Sequence, residues 1–540
     1  MKLSKMHHSF DEGGKAFEIF NKYLESRPDE PFYIDIMNDR TYSRGEFSRD
    51  ALKLCSLLHE LGITLGDKVA AIMPNCAEFA LLYFAALYSQ ITMVPLNPIL
   101  HPSEVEYILK TCAPEAVFIC PSTANKITPE IENLFRGRLF ALRIRQESTQ
   151  DIPFSGRIFE SADIFSTYSP FEIDFKKIQD DHILTITYTS GTTQTPKGVM
   201  HRFENFVQNA LRFCEAVGIG TGNKFYGVLS QAYMGGFYNL LLLPWVSGAV
   251  ICFGKSFDAL TAITFWEPPI KYSLNTLWLV PTIMAVLMKV DRSEKGRNYA
   301  RRHIRLALAG TAPLPVQLRK DFEQRYGIRV YENYGLSEIL FVSTNTPHEM
   351  VLDGSVGKPL HGVTVTIRNE AGGDLAVREE GEIFVKTPEC MTGYYKEETA
   401  VEKEYETNEE WFATGDVGFL DEKGNLYITG RKKDIIIRGG INISPSAIEN
   451  IIMEHPAISQ VAVIGITHDF YGEDIAAVVK MKQGFSLGSI QKELEELCNA
   501  KLSQIRKPSV FFEIEEFPAS TTGKVQKNKL RQMLKARLGK

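Results

Sequence analysis

Between residues 44 and 121 the apolar residues switch repeatedly between two periods, and this alternation constrains the fold more than any other feature. "RGEFSRDALKLCSLLHELG" (44–62) has helical spacing and closes on Gly62, and "DKVAAIMP" (67–74) reads as a buried strand. "AEFALLYFAALYSQ" (77–90) is a helix, "TMVPLN" (92–97) a strand, "PSEVEYILKTCA" (102–113) a helix and "AVFICP" (116–121) a strand. Strands alternating with helices predict a largely parallel sheet covered on both faces, an α/β fold. A chain of 540 residues exceeds a single core, so two or more domains are expected. Near residue 430 the texture changes: "GNLYITG" gives way to the charged "RKKD" and then to shorter units. Of these, "QVAVIGI" and "DIAAVVKM" read as strands and "SLGSIQKELEELCNAKL" as a helix. The expected division is a large N-terminal domain of layered sheets and helices, 1–432, and a small α+β C-terminal domain, 433–540.

Composition narrows the function classes. With 44% apolar and 23% charged residues and a net charge of -6, the chain reads as globular and is not expected to bind nucleic acid as its main business. Eight cysteines are scattered without a CxxC pair, which favours reduced thiols in a cytoplasmic protein over a disulfide framework or zinc site. The start, "MKLSKMHHSFDEGGK", has no apolar core of a signal peptide. The most apolar run, "LLLLPWVSGAVICFG" from Leu240, is broken by Pro244, Ser247 and Gly248. It reads as a buried strand or helix pair, and no integral membrane segment is expected. "GKS" (254–256) fails Walker spacing, "GIGTG" (218–222) reads as a turn, and the histidines form no HExxH, so no structural zinc is expected.

The segment "YTSGTTQTPKGV" (188–199) carries the chemistry. It is not a Walker loop, because Lys197 lies between Pro196 and Gly198. "ILTITYTS" before it suits a strand and "FENFVQNALRFCEAVG" after it suits a helix. Such a strand, turn and helix would offer N–H groups and hydroxyls to an anion. Gly191 and Gly198 allow close backbone approach, Ser190, Thr192 and Thr193 supply hydroxyls, Lys197 supplies charge, and Pro196 stiffens the turn. A polar surface turn with a solvated lysine is the competing reading. The specified positions, SGTT and PKG, would coincide by chance roughly once in a million chains of this size.

This loop resembles the signature of the adenylate-forming superfamily: acyl-CoA synthetases, firefly-type luciferases and adenylation domains of peptide synthetases. Gln194 replaces the usual Gly at its tip. The resemblance runs in motif order from "GDKVAAIMPN" near 66 to "TTGKVQKNKLR" near 531. It implies that the loop wraps the ATP β- and γ-phosphates, with Thr193 beside the metal. In "AGTAPL" (309–314), Gly310 and Ala312 are expected against adenine. In "ENYGLSE" (332–338), Tyr334 would stack on adenine, Gly335 border the acid pocket, Ser337 reach the phosphates and Glu338 hold Mg2+. Glu332 stands where the family often has Gln or Asn for the adenine amine. In "WFATGD" (411–416), Asp416 would accept both ribose hydroxyls, and Arg431 would also meet the ribose. Lys433 occupies the hinge position, and Gly439 and Gly440 match the turn lining the pantetheine tunnel, though "PSAIE" puts Ala447 where the family has Glu. Lys524, in "STTGKVQKNKLR", corresponds to the lysine that neutralises charge in the adenylation transition state. Read alone, Tyr334 is a core aromatic, Glu338 a solvated carboxylate, and Arg431 and Lys524 surface cations.

The resemblance implies carboxylate attack on the α-phosphate of MgATP, giving acyl-adenylate and pyrophosphate, then thioester formation with coenzyme A. The small domain, mobile in the family, rotates between the two half-reactions. "LSQAYMGGFYNLLL" (229–242) aligns with the acid pocket: Tyr233 lies where relatives carry His, and Gly235 and Gly236 would leave room for an apolar tail. Close helix packing explains the same glycines. Met234 stands where amino-acid-activating members have Asp, which points to a fatty or aryl acid. Two alternatives stay open: an adenylate ligase loading a carrier protein, and a non-catalytic nucleotide-binding member.

Overall fold

The computed structural model describes residues 16–144, 156–189, 196–395, 411–438, 441–468, 470–519 and 525–538. The expected alternation is present as helix Arg44–Glu60, strand Lys68–Ile72, helix Ala77–Tyr88, strand Thr92–Leu96, helix Pro102–Cys112 and strand Ala116–Ile119. Lys68–Ile72 runs parallel to both Thr92–Leu96 and Ala116–Ile119. The first of these helices starts at a reciprocal cap: Ser43 Oγ accepts from the Glu46 N–H, and the Glu46 carboxylate accepts from the Ser43 N–H. It stops where Gly62 takes a left-handed turn, φ +78°. Ala77–Tyr88 is apolar almost all round in sequence and buried at every residue. Its Tyr83 stacks on Phe237 at 4.1 Å and its Phe84 meets Trp245 edge-on at 4.7 Å.

These strands belong to an eight-stranded sheet, and a nine-stranded sheet carries a second set of parallel strands. In the nine-stranded sheet, Leu306–Ala309 runs parallel to Val330–Leu336, which turns back antiparallel into Leu340–Thr344. The apolar run from Leu240 completes a π-helical turn, Tyr238–Leu242, then forms helix Leu243–Ser247 and strand Val250–Phe253, all buried.

One expectation fails at the edge of the eight-stranded sheet. Lys197 does not sit in a turn leading to a helix; it opens a strand, Lys197–Arg202, that pairs antiparallel with Ile183–Thr189. The helix Phe203–Val217 begins only at the far end of that strand. Gly198 makes the pairing possible, since a Cβ there would lie 2.8 Å from Ile186 Cγ2 and 3.0 Å from the Tyr188 ring. Strands Ile183–Thr189 and Lys197–Arg202 are therefore antiparallel neighbours, and the helix follows only after the second of them.

Next in the chain comes a four-stranded antiparallel sheet: Thr364–Arg368, Gly381–Lys386, Phe412–Leu420 and Leu426–Arg431. After the turn Lys432–Asp434 a further sheet begins at Ile436–Arg438, dominated by the long hairpin Ile458–His468 and Gly472–Met481. Helices Pro445–Ile452 and Leu487–Lys501 pack through Ile448, Ile452, Ile490 and Leu494 into a core built from residue 436 onward. The architecture is mixed α/β, with layered sheets and helices followed by a smaller α+β unit. None of the eight cysteines is in a disulfide. Among the described residues no helix is long and apolar enough to cross a membrane.

Candidate active site

Tyr334, Asp416 and Arg431 are distant in sequence and meet in space. Asp416 and Arg431 are cross-strand partners in the four-stranded sheet, so their side chains share one face. Asp416 is 3% exposed; its Oδ1 lies 2.5 Å from Arg431 Nε, and its Oδ2 accepts from the Tyr334 hydroxyl at 2.7 Å. A buried carboxylate is tolerated only when paired and hydrogen-bonded, and both of its oxygens are engaged. Gly415, at φ +67°, makes the backbone turn that precedes it. Burial pushes the Tyr334 phenol well above its ordinary value, and the Asp416 charge pushes the same way, so the hydroxyl keeps its proton and donates it to the carboxylate. Its ring is thereby fixed with respect to the carboxylate expected at a ribose.

The strand carrying Tyr334 ends at Leu336, and the turn that follows holds Ser337 and Glu338, both half-buried. His201, on the strand that Lys197 opens, is fully buried and reaches across to the Ser337 carbonyl, with Nε2 at 2.6 Å. A carbonyl only accepts, so Nε2 carries the proton and Nδ1 is left as the acceptor toward Asn205 Nδ2, at 3.5 Å. Burial lowers the imidazole to about 4, keeping it neutral. His201 thus ties strand Lys197–Arg202 to the segment bearing Glu338. Glu338 Oε1 also accepts from Tyr394 at 3.1 Å, and the Lys197 ammonium lies 4.5 Å from the centre of the Tyr394 ring. Among the described residues no group of three His, Cys, Asp or Glu side chains gathers to cage a metal. One carboxylate suits Mg2+ that takes its other oxygens from phosphates and water.

Gly310 ends strand Leu306–Ala309 and cannot carry a side chain: a Cβ would sit 2.3 Å from Asn333 Oδ1, whose amide donates to the Ala309 carbonyl at 2.9 Å. Thr311 follows at φ +69°, and Ala312 is half-buried. This turn lies at the carboxyl end of parallel strands, where such sheets place ligands. Glu332 is buried among Arg319, 3.8 Å away, and the more distant Glu323 and Asp353. Burial raises its carboxyl to about 8, and its Oε1 has no hydrogen-bond partner.

The pocket glycines do not leave the open space expected. A Cβ on Gly236 would fall 2.0 Å from the Ser230 carbonyl oxygen, and one on Gly335 would fall 2.1 Å from that of Leu340. A Cβ on Gly235 would strike the Tyr233 ring at 2.7 Å. Close packing of backbone and ring consumes all three. Tyr233 is half-buried at the start of helix Met234–Phe237, and Met234 Sδ lies 4.0 Å from Thr187 Oγ1 on the strand entering the phosphate loop. Lys433 is exposed in the turn Lys432–Asp434. Ser190, Gly191, Thr192, Thr193, Gly439, Gly440 and Lys524 lie outside the described residues. Sequence reasoning missed His201, Asn333 and Tyr394: each works through contacts distant along the chain, and Asn333 does so from within the "ENYGLSE" motif.

The family model described as AMP-binding enzyme matches residues 20–395, and that of the AMP-binding enzyme C-terminal domain matches 447–524. A long-chain-fatty-acid–CoA ligase of Bacillus subtilis (strain 168) is 30% identical over 505 residues, 89% of this chain and 88% of its own. A 2-succinylbenzoate–CoA ligase of Bacillus cereus is 28% identical, covering 89% of this chain and 92% of its own. Among solved structures, ATP-bound MatB from Rhodopseudomonas palustris superposes with a TM-score of 0.85 at 25% identity, over 96% of this chain and 99% of its own.

Proposed function

The chain belongs to the family of AMP-binding enzymes and is an AMP-forming acid–CoA ligase; from that premise we propose that it activates a fatty or aryl carboxylic acid with an uncharged tail. The observation carrying the acid class is the stretch 228–254, which contains no Asp, Glu, Lys, Arg or His and sets Met234 beside the strand entering the phosphate loop. A second charge on the acid, or an amino group, would meet no counter-charge there. An apolar tail loses nothing by entering.

In this reading Asp416 and Arg431 hold the ribose, Tyr334 and the Gly310–Ala312 turn hold adenine, and the loop of Ser190, Gly191, Thr192, Thr193 and Lys197 holds the β- and γ-phosphates. The Tyr334 and Arg431 contacts aim the Asp416 carboxylate before ATP arrives, so little reorganisation is left for binding. Glu338 and Thr193 are the groups of this chain that would hold Mg2+ delivered with ATP, and the bound ion would supply charge compensation at the phosphoryl oxygens. A carboxylate oxygen of the acid attacks the α-phosphorus, and the bond to the β-phosphate oxygen breaks, releasing pyrophosphate. Lys524 neutralises charge on the carboxylate and α-phosphate as the five-coordinate transition state forms. The 433–540 domain then turns about Lys433, and the Gly439–Gly440 turn lines the path of the coenzyme A thiol. The thiolate attacks the acyl carbon, and AMP leaves with the oxygen the acid supplied.

The test incubates the protein, MgATP and coenzyme A with a panel of carboxylic acids and reads acyl-CoA by mass spectrometry. Thioesters from fatty or aryl acids, with none from amino acids or dicarboxylates, are expected. Thioesters from dicarboxylates or amino acids alone would overturn the acid class. Adenylate and pyrophosphate without thioester would move the acceptor from coenzyme A to a carrier-protein thiol.

A further inference from the structure

The segment "MTGYY", 391–395, has no role in the proposed chemistry, yet it touches both sides of the phosphate path. Its strand, Gly393–Tyr395, extends the eight-stranded sheet antiparallel to Lys197–Arg202, with Tyr394 opposite Val199 and Tyr395 opposite Gly198. At its start the Met391 N–H donates to the Glu338 carbonyl at 2.7 Å and the Thr392 N–H to the Met200 carbonyl at 2.9 Å. Just before it, the Cys390 carbonyl accepts from Asn205 Nδ2 at 2.9 Å. The backbone is therefore fixed from both neighbours, and Tyr394 is its one side chain joining them. The hydroxyl donates to Glu338 Oε1 at 3.1 Å, while the ring face lies 4.5 Å beneath the Lys197 ammonium.

We propose that Tyr394 is a positioning residue for the adenylation step: its ring seats Lys197 and its hydroxyl orients Glu338, holding the cation and the carboxylate apart and ready for Mg2+·ATP. This assignment rests on the reading of Glu338 and Lys197 as phosphate-site groups given above. The physical need is clear. A flexible ammonium and a half-buried carboxylate attract each other, and a direct ion pair would withdraw both from the substrate. The Tyr394 side chain engages both, the ammonium through its ring face and the carboxylate through its hydroxyl. Each contact it offers, a cation over a ring face and a neutral phenol bond, is weaker than the phosphate or metal contact that would replace it. Both groups are thus held in place and can be surrendered to the substrate when it arrives.

Tyr394→Phe separates the two functions, because it keeps the ring and deletes the hydroxyl. The direct measurement is ATP binding by isothermal titration calorimetry at varied free Mg2+, with no acid present. In Y394F the Mg2+ concentration for half-maximal ATP affinity should rise about fivefold. Affinity at saturating Mg2+, and thioester formation from supplied acyl-adenylate, should stay within about twofold of the parent. Tyr394→Leu should in addition weaken ATP binding at saturating Mg2+ about tenfold, because Lys197 loses its seat. A Y394F protein with the parent's Mg2+ dependence would overturn the assignment of Tyr394. So would equal losses in ATP binding and thioester formation, which would mark a merely structural tyrosine. Parent protein whose ATP binding ignores Mg2+ would instead overturn the reading of Glu338, and with it this proposal.

Discussion

Glu332→Gln should remove a pH-dependent weakness from the larger part of the molecule. Burial raises the Glu332 carboxyl from 4.5 to about 8, and Arg319, though 3.8 Å away, does not compensate. A carboxyl whose folded value lies above its unfolded one makes its full contribution only below the unfolded value, here 4.5. That contribution is lost as pH rises toward 8, because the unfolded chain ionises freely and the folded one does not. At about 1.36 kcal/mol per pH unit, the deficit at pH 7 is about 3 kcal/mol, and it reaches its limit just above pH 8. Glutamine has the same shape and cannot ionise, and Arg319 keeps Glu323 and Asp353 as partners, at 3.1 and 2.5 Å. Burying the new amide adds an offset that does not depend on pH. The informative quantity is therefore the slope: thermal midpoints of E332Q and parent, taken from pH 5 to pH 8.5, should diverge by several degrees in favour of E332Q. Parallel midpoints across that range would refute the reasoning, as would a divergence of opposite sign.

Other changes act on separate parts of the site. Gly236→Ala should destabilise the protein by about 1–3 kcal/mol whatever acid is present, since its Cβ would strike the Ser230 backbone at 2.0 Å; an unchanged denaturation midpoint with altered acid preference would restore the open-pocket role. Lys524→Ala should abolish acid-dependent pyrophosphate release yet largely spare thioester formation from supplied acyl-adenylate, and equal loss of both half-reactions would contradict its role. Gly440→Leu should do the reverse, and normal coenzyme A transfer in that variant would refute the tunnel assignment.

The sequence made the alternating half of the fold legible because helix and strand periods follow directly from which residues are buried. It misplaced Lys197 because the short strand "KGVMHR" lies beside a helix-forming run, and only the antiparallel partner Ile183–Thr189 distinguishes a hairpin from a turn before a helix. The Tyr334, Asp416 and Arg431 assignments came from motif resemblance; their contact depends on a strand register invisible in either segment alone. The glycines at 235 and 236 look permissive in sequence, whereas the structure fills the space each leaves. Arg44 carries no signal in the sequence; it is wholly buried, donating to the Trp245 and Ala249 carbonyls, which only the folded chain brings within reach.

The central claim is that a carboxylate oxygen attacks the α-phosphorus of ATP. Turnover of an acid labelled with 18O in its carboxylate tests this directly, with the mass of the released nucleotide as the readout. The chemistry proposed here predicts AMP carrying one labelled oxygen, because cleavage of the acyl–oxygen bond leaves that atom on phosphorus. Unlabelled AMP, or release of ADP with labelled inorganic phosphate, would contradict it.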